Sequence, residues 1–124
     1  MTKLLPIEIH ASGLSDRGRV RAENEDTILV DLENQLFVLA DGMGGHSAGK
    51  VASQLATEVI RDYLVRWRNQ TDFVWPFDPV DSWSQSFNHL SAALRIANVR
   101  VFNAAQLNDE HFDMGTTAIV ALFV

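Results

Sequence analysis

Leu36-Phe37-Val38-Leu39-Ala40-Asp41-Gly42-Met43-Gly44-Gly45-His46 runs five apolar residues into a carboxylate and then into glycines. The pattern reads as a buried strand that delivers Asp41 to a place where backbone can approach a ligand. An acid at the end of such a strand is costly unless a cation meets it, because an unpaired buried carboxylate shifts its pKa and neutralises. A metal ion is the obvious counter-charge. The glycines agree, since they reach positive φ and let main-chain carbonyls and amides approach an ion or a phosphate without Cβ interference.

Working outward, residues 27–32 and 36–40 are two apolar, partly β-branched runs separated by Glu33-Asn34-Gln35. A turn at Asn34 makes them an antiparallel hairpin. Nearer the start, Ile7, Ile9 and Ala11 alternate with Glu8, His10 and Ser12, which predicts a first strand with one buried face, closed by Gly13. Downstream, Ala52, Leu55, Ala56, Val59, Ile60, Tyr63 and Trp67 recur at helical spacing and predict an amphipathic helix over residues 48–67. Phe87, Leu90, Leu94, Ala97 and Val101 predict a second over residues 82–107, paired with the first. Residues 69–80 carry Pro76, Pro79 and several aromatics and read as an ordered surface loop. Gly115-Thr116-Thr117 opens a last strand over residues 118–124 that is still apolar where the sequence stops. A central strand needs neighbours on both sides, so an interrupted domain is expected.

The 124 residues suit one domain or part of one. A hydrophobic fraction of 47% with 21% charged residues excludes wholesale disorder. The net charge of -6 argues against a general nucleic-acid or anionic-membrane binder, whose affinity rests on clustered Lys and Arg. With no cysteine, disulfides, thiolate metal sites and thiol nucleophiles are out, and a reducing, cytoplasmic setting is expected. Any metal is held by oxygen or imidazole. Met1-Thr2-Lys3-Leu4-Leu5-Pro6 lacks the apolar core of a signal peptide, and no apolar run approaches the ~20 residues that span a bilayer. Neither nucleic acid nor membrane is an expected partner.

Three clusters bear on chemistry. Ser15-Asp16-Arg17-Gly18-Arg19-Val20-Arg21-Ala22-Glu23-Asn24-Glu25-Asp26 alternates cations and carboxylates, and by itself reads equally as a solvated loop. Asp41-Gly42-Met43-Gly44-Gly45-His46 reads as a ligand-approaching turn or simply as a tight strand-to-helix connection. Asp113-Met114-Gly115-Thr116-Thr117 says little alone. Residues 44–50 also satisfy G-x-x-x-x-G-K, the start of a phosphate-binding P-loop, but Val51 stands where that loop needs a Ser or Thr hydroxyl for magnesium. Lys50 is then expected as an exposed residue of the first helical turn.

Together these residues resemble the metal-dependent serine/threonine protein phosphatases, the type 2C or PPM family, in its bacterial form. S-D-x-G-x-x-R-x-x-N-E-D is matched over residues 15–26, D-G-M-G-G-H-x-x-G over 41–49, and the later G-T-T over 115–117. The resemblance implies an α+β fold, the N-terminal half of a four-layer α-β-β-α sandwich of antiparallel sheets flanked by antiparallel helix pairs. Residues 1–124 would be a partial phosphatase domain. It also implies hydrolysis of phosphoserine and phosphothreonine in proteins by two Mn2+ or Mg2+ ions and a metal-activated water, in the complete domain. Asp41 would bridge the ions, the Gly42 carbonyl would ligate one, and Glu25 and Asp26 would be carboxylates of the same site or its surroundings. Arg21 would clamp the substrate phosphate, a task suited to a planar guanidinium fork.

His46 stands three positions beyond Met43, the position at which some relatives place a histidine after Asp-Gly. It is either the proton donor to the leaving oxygen or a polar residue near the helix start. His10, His89 and His111 are expected to be surface or structural, and Trp67, Trp75 and Trp83 to be packing residues. The family's later acidic motifs, resembling G-D-S-R, D-G-x-x-D and D-N-x-T, do not occur in this sequence. A hard divalent cation requires about six oxygen ligands, of which these residues supply part. The alternative function is therefore a catalytically incomplete module that binds phosphoprotein or assembles with a partner chain supplying the missing half.

Overall fold

The computed structural model of the chain describes residues 6–124, so the leader reading of residues 1–5 lies outside the described residues. The expected hairpin forms: β1 (Asp26–Asp31) pairs antiparallel with β2 (Leu36–Met43), from Asp26 opposite Asp41 to Asp31 opposite Leu36. Asp31 shapes the turn, its carboxylate accepting from the Asn34 backbone N–H at 3.1 Å and from the Asn34 side-chain amide at 2.8 Å. These bonds, with Arg61 beside them, hold the Asp31 carboxyl below its usual value. Gln35 rather than Asn34 takes the left-handed conformation, at φ 53°.

Period-two alternation decides which face of β2 is covered. Leu36, Val38, Ala40 and Gly42 are buried, and the helix α1 (Ala48–Asn69) lies over them. Its buried face is built largely of small residues, Ala48, Gly49, Ala52, Ser53 and Ala56, which let the helix axis come close to the sheet before Ile60 and Leu64 fill the far end. Leu39, facing the other way, is 45% exposed. On the second edge of β2, β3 (Gly115–Thr116) pairs with Met43 and Gly42, and β4 (Ile119–Leu122) pairs with residues 36–39. The last expected strand is thus two short ones, interrupted where Thr117 turns its hydroxyl onto the Asp41 N–H.

The helix α2 (Gln85–Leu107) begins three residues later than periodicity predicts, because Ser84 is its N-cap and accepts from the Phe87 N–H at 3.2 Å. It packs on α1 in antiparallel sense, with the end of α1 against the start of α2 at Tyr63 and His89, and Ala56 near Ala97 and Val101. At the sheet's far end, Arg68 of α1 donates to the carbonyls of Asn34, in the hairpin loop, and Phe123, after β4.

One expected strand is absent. Residues 7–13 form no ladder and are mostly exposed, although Gly13 lies so close to β1 that a Cβ there would stand 2.8 Å from Ile28 Cγ2. Alternation specifies a strand's faces but not its hydrogen-bonding partner, and among the described residues none pairs with this segment. Among them, too, no helix is long and apolar enough to cross a membrane.

The expected surface loop folds back over α2. Trp75 from this loop and Trp67 from α1 stack on His89 with ring centroids 3.8 and 4.1 Å away, and the Tyr63 hydroxyl lies 2.8 Å from His89 Nδ1. His89 is structural, as expected, and 1% exposed. Burial pushes its pKa down to about 4 from 6.5. Between those values the unfolded chain takes up a proton that the folded chain refuses, so stability falls as pH drops through this window, by up to roughly 3 kcal/mol. An NMR titration of the His89 ring should show it neutral at pH 5.5; a midpoint near 6.5 would contradict the cage.

Candidate active site

Hairpin register builds the site. Because Asp26 lies directly opposite Asp41, the two carboxyl groups emerge on one face at the same end of the sheet. Asp41 itself is exposed, between buried Ala40 and buried Gly42, and Asp26 is half-buried. Contrary to the expected buried acid, the demand for a counter-charge comes from the pair. Burial first, then a hydrogen bond to Asp41 and the Asp41 charge, raise the Asp26 pKa, against the opposing pull of Lys50 and Arg21. Two carboxylates this close share a proton or a cation.

Glycines set how closely α1 approaches. A Cβ on Gly42 would stand 1.9 Å from the Gly49 carbonyl oxygen and 2.8 Å from that of Glu25, so β2, α1 and the chain entering β1 meet backbone to backbone. A Cβ on Gly49 would stand 2.7 Å from Glu25 Cδ, which places the Glu25 carboxyl across the first turn of α1, where the helix dipole favours negative charge. Between β2 and α1, Gly44 has φ 149° and both His46 and Ser47 are left-handed, at 53° and 64°. Glycine freedom is used at Gly44 but not at Gly45, and two side-chain-bearing residues carry the rest of the turn at a cost of about 1 kcal/mol or more each.

Arg21, Glu25, Asp26, Asp41 and Gly42 line one polar cleft of about 200 Å³. His46 does not reach it; it lines an adjoining open depression with Arg21, Glu25 and Gly44. Among the described residues no three His, Asp or Glu side chains gather as a ready set of metal ligands.

Several residues quoted from the motifs take roles at the site that the motifs do not assign. Asp16 and Arg17 also line the cleft, and Asp16 accepts from the Gly18 N–H at 2.7 Å. Asn24 accepts from the Asp26 N–H at 3.0 Å, a turn that the Asn-Glu-Asp spacing permits. Thr117 brackets Asp41, donating its N–H to the Asp41 carbonyl at 2.8 Å and accepting the Asp41 N–H at 3.0 Å. Lys50 is not the exposed cation expected of the first helical turn: it is half-buried, and its ammonium donates to the Asp26 carbonyl at 2.7 Å. That contact ties Lys50 to the strand.

With a strand-borne acid pair, a facing arginine and a glycine-tight helix start, the chain belongs to the protein phosphatase 2C family, whose model matches residues 17–124. Among its relatives, the serine/threonine phosphatase stp of Listeria welshimeri is 32% identical over 117 residues, 92% of this chain and 42% of that protein. In fold it is similar to the serine/threonine phosphatase PstP/Ppp of Mycobacterium tuberculosis, with a TM-score of 0.68 and 34% identity over 90% of this chain and 40% of that one. The catalytic domain of PstP in complex with two manganese ions matches with a TM-score of 0.66 and 35% identity, over 90% and 41%. The chain thus has the α+β architecture of the N-terminal part of these phosphatases and spans well under half of their length.

Proposed function

We propose that this chain forms the N-terminal part of a phosphatase domain that hydrolyses phosphoserine and phosphothreonine in proteins, with two Mn2+ or Mg2+ ions held in part by its residues. The observation that carries this reading is the Asp26–Asp41 pair facing Arg21 across one cleft. The donor set fits a hard divalent cation: every candidate ligand is an oxygen, and the directly opposed carboxyls of Asp26 and Asp41 bring negative charge that a cation would neutralise. Asp41, Asp26, Glu25 and the Gly42 carbonyl would hold the ions together with ligands from the rest of the domain. Bound there, such ions supply Lewis-acid polarisation of the phosphoryl group and a more acidic water. Arg21 binds phosphoryl oxygens through its fork, and Thr117 fixes the backbone of Asp41 from both sides. His46 lines the adjoining depression beside Arg21, off the carboxylate cleft; it would be either the proton donor to the leaving serine or threonine oxygen or a polar residue near the helix start.

A second reading, a module that binds phosphoprotein without cleaving it or that assembles with a partner chain, is favoured by one observation. Among the described residues the ligand set is incomplete. The test is Mn2+-dependent phosphate release from a phosphoserine peptide by the complete domain, with residues 1–124 alone inactive. Binding of the peptide without release by the metal-loaded complete domain would select the second reading. In the active protein, Arg21→Ala should raise KM at least about tenfold while leaving Mn2+ affinity unchanged, as the loss of a charge-assisted phosphate contact requires. An unchanged KM would remove Arg21 from the phosphate site.

A further inference from the structure

We infer that Lys50 and Ser53 of α1 are positioning residues for the acid pair: they grip the carbonyls of Asp26 and Glu25 and so fix where those two side chains enter the cleft. The inference rests on the metal-dependent reading above. Lys50 Nζ donates to the Asp26 carbonyl at 2.7 Å, and Ser53 Oγ donates to the Glu25 carbonyl at 2.7 Å. Ser53 is fully buried, and its oxygen also lies 2.7 Å from Thr27 Oγ1. A hydroxyl has one proton, so with the Ser53 proton on Glu25 the Thr27 hydroxyl is the donor between the two. Three consecutive residues, 25 to 27, are thereby tied to one turn of helix by side chains spaced i, i+3.

The grip falls where register matters. A slip of one residue at the start of β1 would turn Asp26 to the opposite face and separate it from Asp41. The Gly42 N–H reaches the same Glu25 carbonyl at 3.2 Å, so β2, α1 and the entry to β1 share a single acceptor. Neither Lys50 nor Ser53 lines the cleft; Ser53 acts through the backbone it holds, and Lys50 adds to its backbone contact a positive charge near Asp26.

The test is Mn2+ affinity by titration calorimetry in the complete phosphatase. Ser53→Ala and Lys50→Met should each weaken Mn2+ binding about tenfold, as loss of supporting hydrogen bonds does at other metal centres, and Lys50→Arg, which keeps a cationic donor, should restore most of it. KM for a phosphopeptide at saturating Mn2+ should change less than about twofold, because neither residue meets the phosphate. Folded variants with lower melting temperatures but unchanged Mn2+ affinity would reduce both residues to structural supports and overturn the inference. Failure of the unsubstituted protein to bind Mn2+ would instead defeat the metal reading, and the positioning role with it.

Discussion

Replacing Asp41 with Asn should lower kcat of the complete phosphatase at least about 100-fold, above the range that losing a merely supporting residue costs a metal centre. The same substitution should leave the metal-free fold intact or slightly more stable. Asn has the same shape, both bonds between Asp41 and Thr117 use the Asp41 main chain, and removing the charge relieves Asp26 of a like-charged neighbour. Turnover assays over a range of Mn2+ concentrations, paired with thermal melts in chelator, check the two halves. Near-normal turnover at limiting Mn2+ would refute the bridging role, and a collapsed metal-free fold would show that Asp41 serves structure first.

The second large effect is steric. In Gly42→Ala the new methyl would stand 1.9 Å from the Gly49 carbonyl oxygen and 2.5 Å from its carbon, both backbone atoms with no rotamer to yield. The start of α1 must then move off β2, and a loss of about 3 kcal/mol or more is expected, a large share of a typical domain's stability. Gly45→Ala is the control, because nothing lies within 4 Å of a Cβ there. Urea denaturation of the two variants should separate them clearly; equal midpoints would mean that helix and strand do not meet as described.

Much of this fold is legible because its signals are periodic. Leu36, Val38 and Ala40 announce a one-faced strand, and Ala52, Ala56, Ile60 and Tyr63 announce the helix that covers it. The segment over residues 7–13 carries the same alternation and misleads, because which edge a strand joins is decided by distant residues. At the site, Arg21, Glu25, Asp26, Asp41 and Gly42 could be gathered from motif order, and they do share a cleft. Residues acting through backbone carbonyls could not. Ser53 reads as one more small residue on a helix face, and Thr117 as a strand-forming residue, until the contacts with Glu25 and Asp41 are seen. The His89 cage is hidden for the same reason, since Trp67 and Trp75 lie on different segments and meet only after the loop folds back.

The clasp formed by Arg68 lies at the opposite end of β2 from Asp41, about 17 Å away along an extended strand. At that distance, changes at the two ends combine nearly additively. The Arg68 contacts and the carboxylate pair thus occupy opposite ends of the same strand. A substitution at Arg68 that changes heat tolerance is therefore expected to leave the geometry of the carboxylate end almost untouched.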